Sequence, residues 1–373
     1  MSCLAVSDDC IVIAKGLQVD YYNYSSHAEF TVPSKSQETD VISDIVISAN
    51  GKHLALITST SKQLLVYDLP MTDNYRSYVL PRSASKIRFT VSNQQILVAD
   101  KSGDVLLYNI KDDDGGNKLL GHLSLLLDVL QTHDEKYIIT SDRDEKIKVS
   151  CYPNTYNIQT YCLGHKEFVN HIELLPHNPS YLTSTSGDGQ LKCWDYNNGK
   201  LCYSIDTFID VNDSDLKDNF TKRMDNEGIE VNNLPIVHYA VAKLNESSSL
   251  LAVAVHNYNK LLIYALKTDN NEFSHNLLQK FELESFPKAI KCHNSSLFTY
   301  NSTGSSVSIF KILLENGTAS LKLDKEIKMF INTSTTDIIE HNEESIKVLY
   351  KRKFDNVQEY QERKKQRLEK SIQ

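Results

Sequence analysis

Apolar and polar positions alternate along this chain in short runs, each an apolar strand, a polar turn and a second strand. IVIAKGLQVDYY, LALITSTSKQLLVYDL, ILVADKSGDVLLYNI, YIITSDRDEKIKVS, YLTSTSGDGQLKCWDY, LLAVAVHNYNKLLIYAL and LFTYNSTGSSVSIFKI all follow this plan. Their turns carry Gly, Asn, Ser or Asp, and their second strands are rich in β-branched and aromatic residues. The second strands align at Tyr22, Tyr67, Tyr108, Ser150, Trp194, Tyr264 and Phe310, at intervals of 45, 41, 42, 44, 70 and 46 residues. A period in the low forties with hairpins inside it predicts an all-β ring: a seven-bladed propeller with four antiparallel strands per blade.

The pattern assigns residues 1–350 to the propeller. The one long interval marks an insertion at 206–235, DTFIDVNDSDLKDNFTKRMDNEGIEVNNLP. It is acidic and Asn-rich without alternation, which predicts a surface loop between blades five and six. A docking loop for a basic partner is the sharper reading of the same stretch. Residues 338–350 read as one or two further strands able to complete a blade with the N-terminal strands. Helix-period patterning is confined to the basic tail, 351–373, expected to be helical or disordered.

Composition narrows the class. With 40 Lys+Arg against 48 Asp+Glu the formal charge is -8, which excludes a globally basic nucleic-acid binder. A hydrophobic content of 40% supports a buried core. No run approaches the roughly 18 apolar residues of a membrane span. The start, MSCLAVSDDCIVIAKG, places two aspartates where a signal peptide needs positive charge, so a soluble intracellular chain is expected. Of seven cysteines, without a C-x-x-C pair, most read as reduced, buried small hydrophobes.

The fifth repeat, GHKEFVNHIELLPHNPSYLTSTSGDGQLKCWDYNNGK, resembles the WD-repeat consensus, with Gly164-His165 at its start and Trp194-Asp195 at its end. The resemblance implies a hydrogen-bonded chain through His165, Ser184, Asp188 and Trp194. Such a chain gives a buried imidazole and an indole N–H the partners they need. The fourth repeat keeps Gly121-His122, Thr140 and Asp144, with Ser150 in the Trp position, so its network is expected to be shorter. A hydrolase reading of His, Ser and Asp fails for want of a G-x-S-x-G elbow. The chain also lacks G-x-G-x-x-G and P-loop motifs, and His165, His171 and His177 match no metal spacing. No catalytic residue, cofactor or metal is expected.

One stretch exceeds what a propeller turn requires. SDRDEKIKVSCYP, residues 141–153, packs Asp142, Arg143, Glu145, Lys146 and Lys148 around Asp144. Together with GHKEFV at residues 164–169, and the flanking GHLSLLLDV and ADKSGDVLLYNI, it resembles the non-catalytic WD-repeat subunit of the tRNA (guanine-N7)-methyltransferase complex. The motif-bearing resemblance covers about residues 99–200. It implies a scaffold without catalytic residues. A separate methyltransferase subunit would bind S-adenosylmethionine and modify a guanine in the tRNA variable loop, while this chain holds it active as a heterodimer. Lys148, expected to alternate away from the sheet core, is the first choice for a salt bridge to a partner carboxylate. Arg143, Glu145, Lys146, Lys166 and Phe168 would surround it.

The tail departs from the rest in charge. Eight Lys/Arg against four Asp/Glu give it +4, leaving -12 on the preceding 350 residues. Lys351, Arg352, Lys353, Arg363, Lys364, Lys365 and Arg367 read as a two-part nuclear-import signal or as phosphate contacts to tRNA held by the partner. A nuclear tRNA-modification subunit without membrane contact is therefore expected. The rival reading is a generic WD-repeat adaptor of another nuclear complex, such as a ubiquitin ligase or chromatin assembly.

Overall fold

The computed structural model describes residues 2–23, 26–34, 39–70, 74–111, 115–301, 306–315, 318–328 and 340–352. Within them the chain forms seven four-stranded antiparallel meanders, at 2–31, 42–79, 84–121, 126–162, 169–206, 236–282 and 287–328. The seven positions aligned from sequence each fall in the third strand of one blade. Inner strands of consecutive blades are neighbours around the whole ring, so the fold is a seven-bladed propeller.

Stacking blade against blade buries both faces of each inner sheet. The second strands are accordingly near-continuous apolar runs, and Ser248–Val255 is buried at every residue. Each fully buried Leu, Ile or Val contributes about 1.5–3 kcal/mol. Near the axis, inner-strand aspartates tie one blade to the next. Asp44 accepts from Ile87 N and Lys86 Nζ, both at 3.0 Å. Asp128 accepts from Ile172 N at 3.0 Å and from Arg88 Nη2 at 2.9 Å, while Arg88 Nη1 reaches Glu173 at 2.8 Å.

The ring closes without a shared strand. Leu4, Ile11 and Ile13 of blade one pack with Phe298, Tyr300 and Val307 of blade seven. Asp8 accepts from His293 Nε2 at 2.9 Å and Asn294 Nδ2 at 2.6 Å across the seam. Blade one is complete from its own four strands.

Two segments differ from their sequence expectations. Residues 206–235 contain α1, Thr207–Val211, and α2, Ser214–Asn226, where a loop was expected. Two of the acidic residues serve as N-caps: Asp206 accepts from Phe208 N at 3.0 Å and Asp213 from Leu216 N at 2.9 Å. Leu216, Phe220 and Met224, spaced by four, turn one face of α2 into the blade-five and blade-six core. Residues 340–347, expected as strand, form α3, Glu340–Lys347. Ile346 and Tyr350 join that same core. Arg223–Glu343 at 3.1 Å and Lys347–Glu227 at 2.5 Å hold the two helical pieces together.

Candidate partner-docking face

In each blade, the loop entering the inner strand and the turn between the second and third strands lie at the same end of the sheet. In blade five this end carries the predicted network. His165 Nδ1 donates to Asp188 at 3.0 Å, and Ser184 donates to His165 Nε2 at 2.8 Å. Trp194 Nε1 donates to Ser184 Oγ at 2.8 Å. Asp188 also accepts from the backbone N–H of Lys166 and of Gln190, which closes the turn. Burial opposes ionisation of Asp188, yet the His165 and backbone bonds prevail and hold its carboxyl below the usual range. With His165, Ser184 and Trp194 buried, Asp188 largely covered and every member partnered, these groups are structural.

Blade four uses a different aspartate from the one expected. His122 Nε2 meets Thr140 Oγ1 at 2.7 Å, but His122 Nδ1 donates to Asp142, at 2.9 Å, and not to Asp144. Thr140 and Asp142 are two residues apart on one strand, so their side chains share a face. Asp142 also accepts from Lys146 N at 2.9 Å and is buried. Asp144 is left on the turn. Ser150, in the Trp194 position, is buried with no hydrogen-bond partner for its hydroxyl among the described residues.

The residues expected to meet a partner divide into buried and accessible sets. Lys148 does not face out: it is 6% exposed, and its Nζ donates to Gly121 O at 2.6 Å. Lys148 lies directly opposite Thr140, so it shares the face carrying the His122 network, and blade three covers that face. Burial lowers its ammonium pKa against the pull of Asp142. Lys192 occupies the same position in blade five and is likewise buried. Phe168 is buried too, its ring 5.0 Å from that of Tyr350 and pressed on Gly187. Lys146 and Lys166 are exposed, and Arg143 and Glu145 are partly so.

Sequence reasoning missed what lies beside this turn. Leu123, next to His122, and Leu163, two residues before His165, are exposed. Tyr350 reaches over blade five and donates to Gly187 O at 2.9 Å. Lys351 follows it and pairs with Glu145 at 2.6 Å, with Asp144 at 3.8 Å. Arg352 makes a backbone bridge to Ile229. Glu167 sits among these groups, and its carboxyl is pushed up to about 7 by burial and then by the charges of Glu145 and Asp188. The spacing of Ile346 and Tyr350 was the available signal for the helical end. Lys353, Arg363, Lys364, Lys365 and Arg367 lie outside the described residues. Among the described residues, no group of three or more His, Cys, Asp or Glu could hold a metal ion.

Comparison with known proteins bears on the family and the fold. The family model described as the tRNA methyltransferase TRM82 WD40 domain matches residues 17–114 and 109–297. A protein of Culex quinquefasciatus, the tRNA (guanine-N(7)-)-methyltransferase non-catalytic subunit wuho, is 31% identical over 353 residues. That alignment covers 90% of this chain and 78% of the relative. The non-catalytic subunit wdr4 of Danio rerio is 41% identical over 174 residues, 46% of this chain and 42% of its own length. The chain thus spans under half the length of that relative. Among solved structures, the RRP9 WD40 repeats superpose with a TM-score of 0.62 at 18% identity, covering 80% of this chain and 86% of theirs. That likeness concerns the fold alone.

Proposed function

The chain belongs to the family of non-catalytic WD-repeat subunits of tRNA (guanine-N7)-methyltransferases, and from that membership we propose that it binds and stabilises a separate catalytic subunit. The complex forms N7-methylguanosine in the tRNA variable loop, and the propeller supplies no reacting group. The observation that carries this reading is the near full-length match to a named non-catalytic subunit, which includes the charged turn of blade four. The accessible cations Arg143, Lys146 and Lys166 meet partner carboxylates at this face. Exposed Leu123 and Leu163 favour a protein surface over bare phosphate, because apolar side chains gain nothing from a solvated phosphate backbone. Lys148 supports the turn from beneath, and Phe168 belongs to the core. The basic tail directs the complex to the nucleus and contacts tRNA phosphates.

The test is reconstitution. Co-expressed with a tRNA guanine-N7 methyltransferase subunit, the chain should co-purify in a one-to-one complex and raise N7-methylguanosine in tRNA above that of the catalytic subunit alone. Lys146→Glu with Lys166→Glu should leave folding intact and weaken the complex about tenfold or more. A chain that ignores the methyltransferase and captures a ubiquitin ligase or chromatin component instead would restore the adaptor reading.

A further inference from the structure

The charged turn looks balanced in sequence, with Asp142, Asp144 and Glu145 against Arg143, Lys146 and Lys148. Folding unbalances it. Asp142 is buried against His122, and Lys148 is buried against the Gly121 carbonyl. The two remaining carboxylates both face Lys351, a residue more than two hundred positions away in the chain. Among the described residues no carboxylate stands within ion-pair distance of Arg143, Lys146 or Lys166.

The placement of Lys351 is built rather than accidental. Tyr350 is 3% exposed, edge-on to Phe168, and its hydroxyl donates to Gly187 O. The chain therefore leaves the core at a defined point, one residue before Lys351. Glu145 adds a second observation. Its φ is +72°, a left-handed conformation that costs a non-glycine residue free energy, and blade five has Gly189 with φ +75° at the matching position. A glutamate held there gives the turn a carboxylate at the price of strain, and Lys351 is what that carboxylate reaches.

From this arrangement we infer that the C-terminal arm sorts the charge of the docking turn. Lys351 pairs with Glu145 and draws on Asp144, offsetting one of their two negative charges, so that Arg143, Lys146 and Lys166 outweigh what is left and form a cationic face for a carboxylate-bearing surface of the catalytic subunit. The inference rests on the docking reading above and adds a device to it. The arm touches the partner little; it decides which sign of charge the partner meets. The Lys351 pair is partly exposed and individually weak, so its effect is on complementarity rather than on the stability of the propeller.

The experiment uses the full chain with its catalytic subunit. Lys351→Ala should weaken the complex about three- to tenfold at low salt, and less at high salt. Adding Asp144→Asn and Glu145→Gln to Lys351→Ala should restore wild-type affinity, because the uncompensated carboxylates are then gone. Wild-type affinity for Lys351→Ala overturns the inference. Failure of the neutral pair to restore binding also overturns it, since Lys351 would then be a direct contact. Hydrogen exchange in the isolated chain separates this from the docking reading. Lys351→Ala should speed exchange of the amides of residues 144–146, and unchanged exchange would sink the arm's role whatever the partner does. Faster exchange in a chain that binds no methyltransferase subunit would overturn the docking reading and the assignment of the partner, while the charge-sorting contact itself would stand.

Discussion

Blades four and five start from the same spacing and end with different networks. Both have Gly-His at the entering loop, a hydroxyl on the second strand and an aspartate four residues on. In blade five that aspartate, Asp188, closes the network, and Trp194 completes it from the third strand. In blade four the histidine takes Asp142, two residues earlier, and the Trp position holds Ser150. The difference frees Asp144 from the network and leaves it beside Glu145 and Lys351. A turn that has handed its structural task to a neighbour has charges to spare for a partner. The blade with the intact network is the more fully bonded, and the docking turn proposed above lies on the degenerate one.

The sharpest way to break this comparison is to truncate the equivalent third-strand residues. Trp194→Ala should cost about 3–5 kcal/mol, for a fully buried indole and the loss of its hydrogen bond to Ser184. Ser150→Ala removes a buried hydroxyl with no partner and should be neutral or slightly stabilising. Denaturant unfolding of the two variants measures both. Similar losses in each would mean the two blades are built alike.

Lys148→Glu comes next. It places a carboxylate against the Gly121 carbonyl and near Asp142, so a loss of about 3 kcal/mol or more is expected. Sequence alternation, which turns Lys148 outward, predicts less than about 1 kcal/mol. A variant with wild-type melting would return Lys148 to the surface. A smaller contrast separates the two aspartates. Asp142→Ala should cost about 1–3 kcal/mol by stranding His122 and the Lys146 amide, whereas Asp144→Ala should stay within about 0.5 kcal/mol. Equal effects would contradict the exchange of roles.

The least change in stability is expected at Glu167, where the two blades and the C-terminal arm meet. Its folded-state carboxyl stands near 7, above the ordinary 4.5, owing to burial and to Glu145, Asp188 and Glu230, with Lys351 opposing. A raised carboxyl contributes stability that is complete below about pH 4.5 and is lost as pH rises through about 7. Glu167→Gln should therefore flatten the stability profile across that window and leave the chain more stable than wild type above it. Parallel profiles for the two proteins would show that Glu167 ionises freely.

The sequence by itself determined the ring. A hairpin period in the low forties, seven times over, admits one architecture, because each unit has apolar faces that only a neighbouring unit can cover. It also determined the His165–Ser184–Trp194 chain, whose members sit close along one repeat, and the residues that carry the family likeness. Local reading stopped where a residue's environment is made by another blade. Alternation assigns one face of a strand to core and the other to water, yet a propeller blade has neighbours on both, so Lys148 is covered by blade three, while Phe168 is covered by Tyr350. The insertion hid its helices because acidic caps and polar faces look like loop until the packing of Phe220 and Met224 is seen. Lys351 and Glu145 meet across more than two hundred residues, and no spacing along a chain encodes that meeting. Only the packing of Tyr350 on blade five brings Lys351 to Asp144 and Glu145.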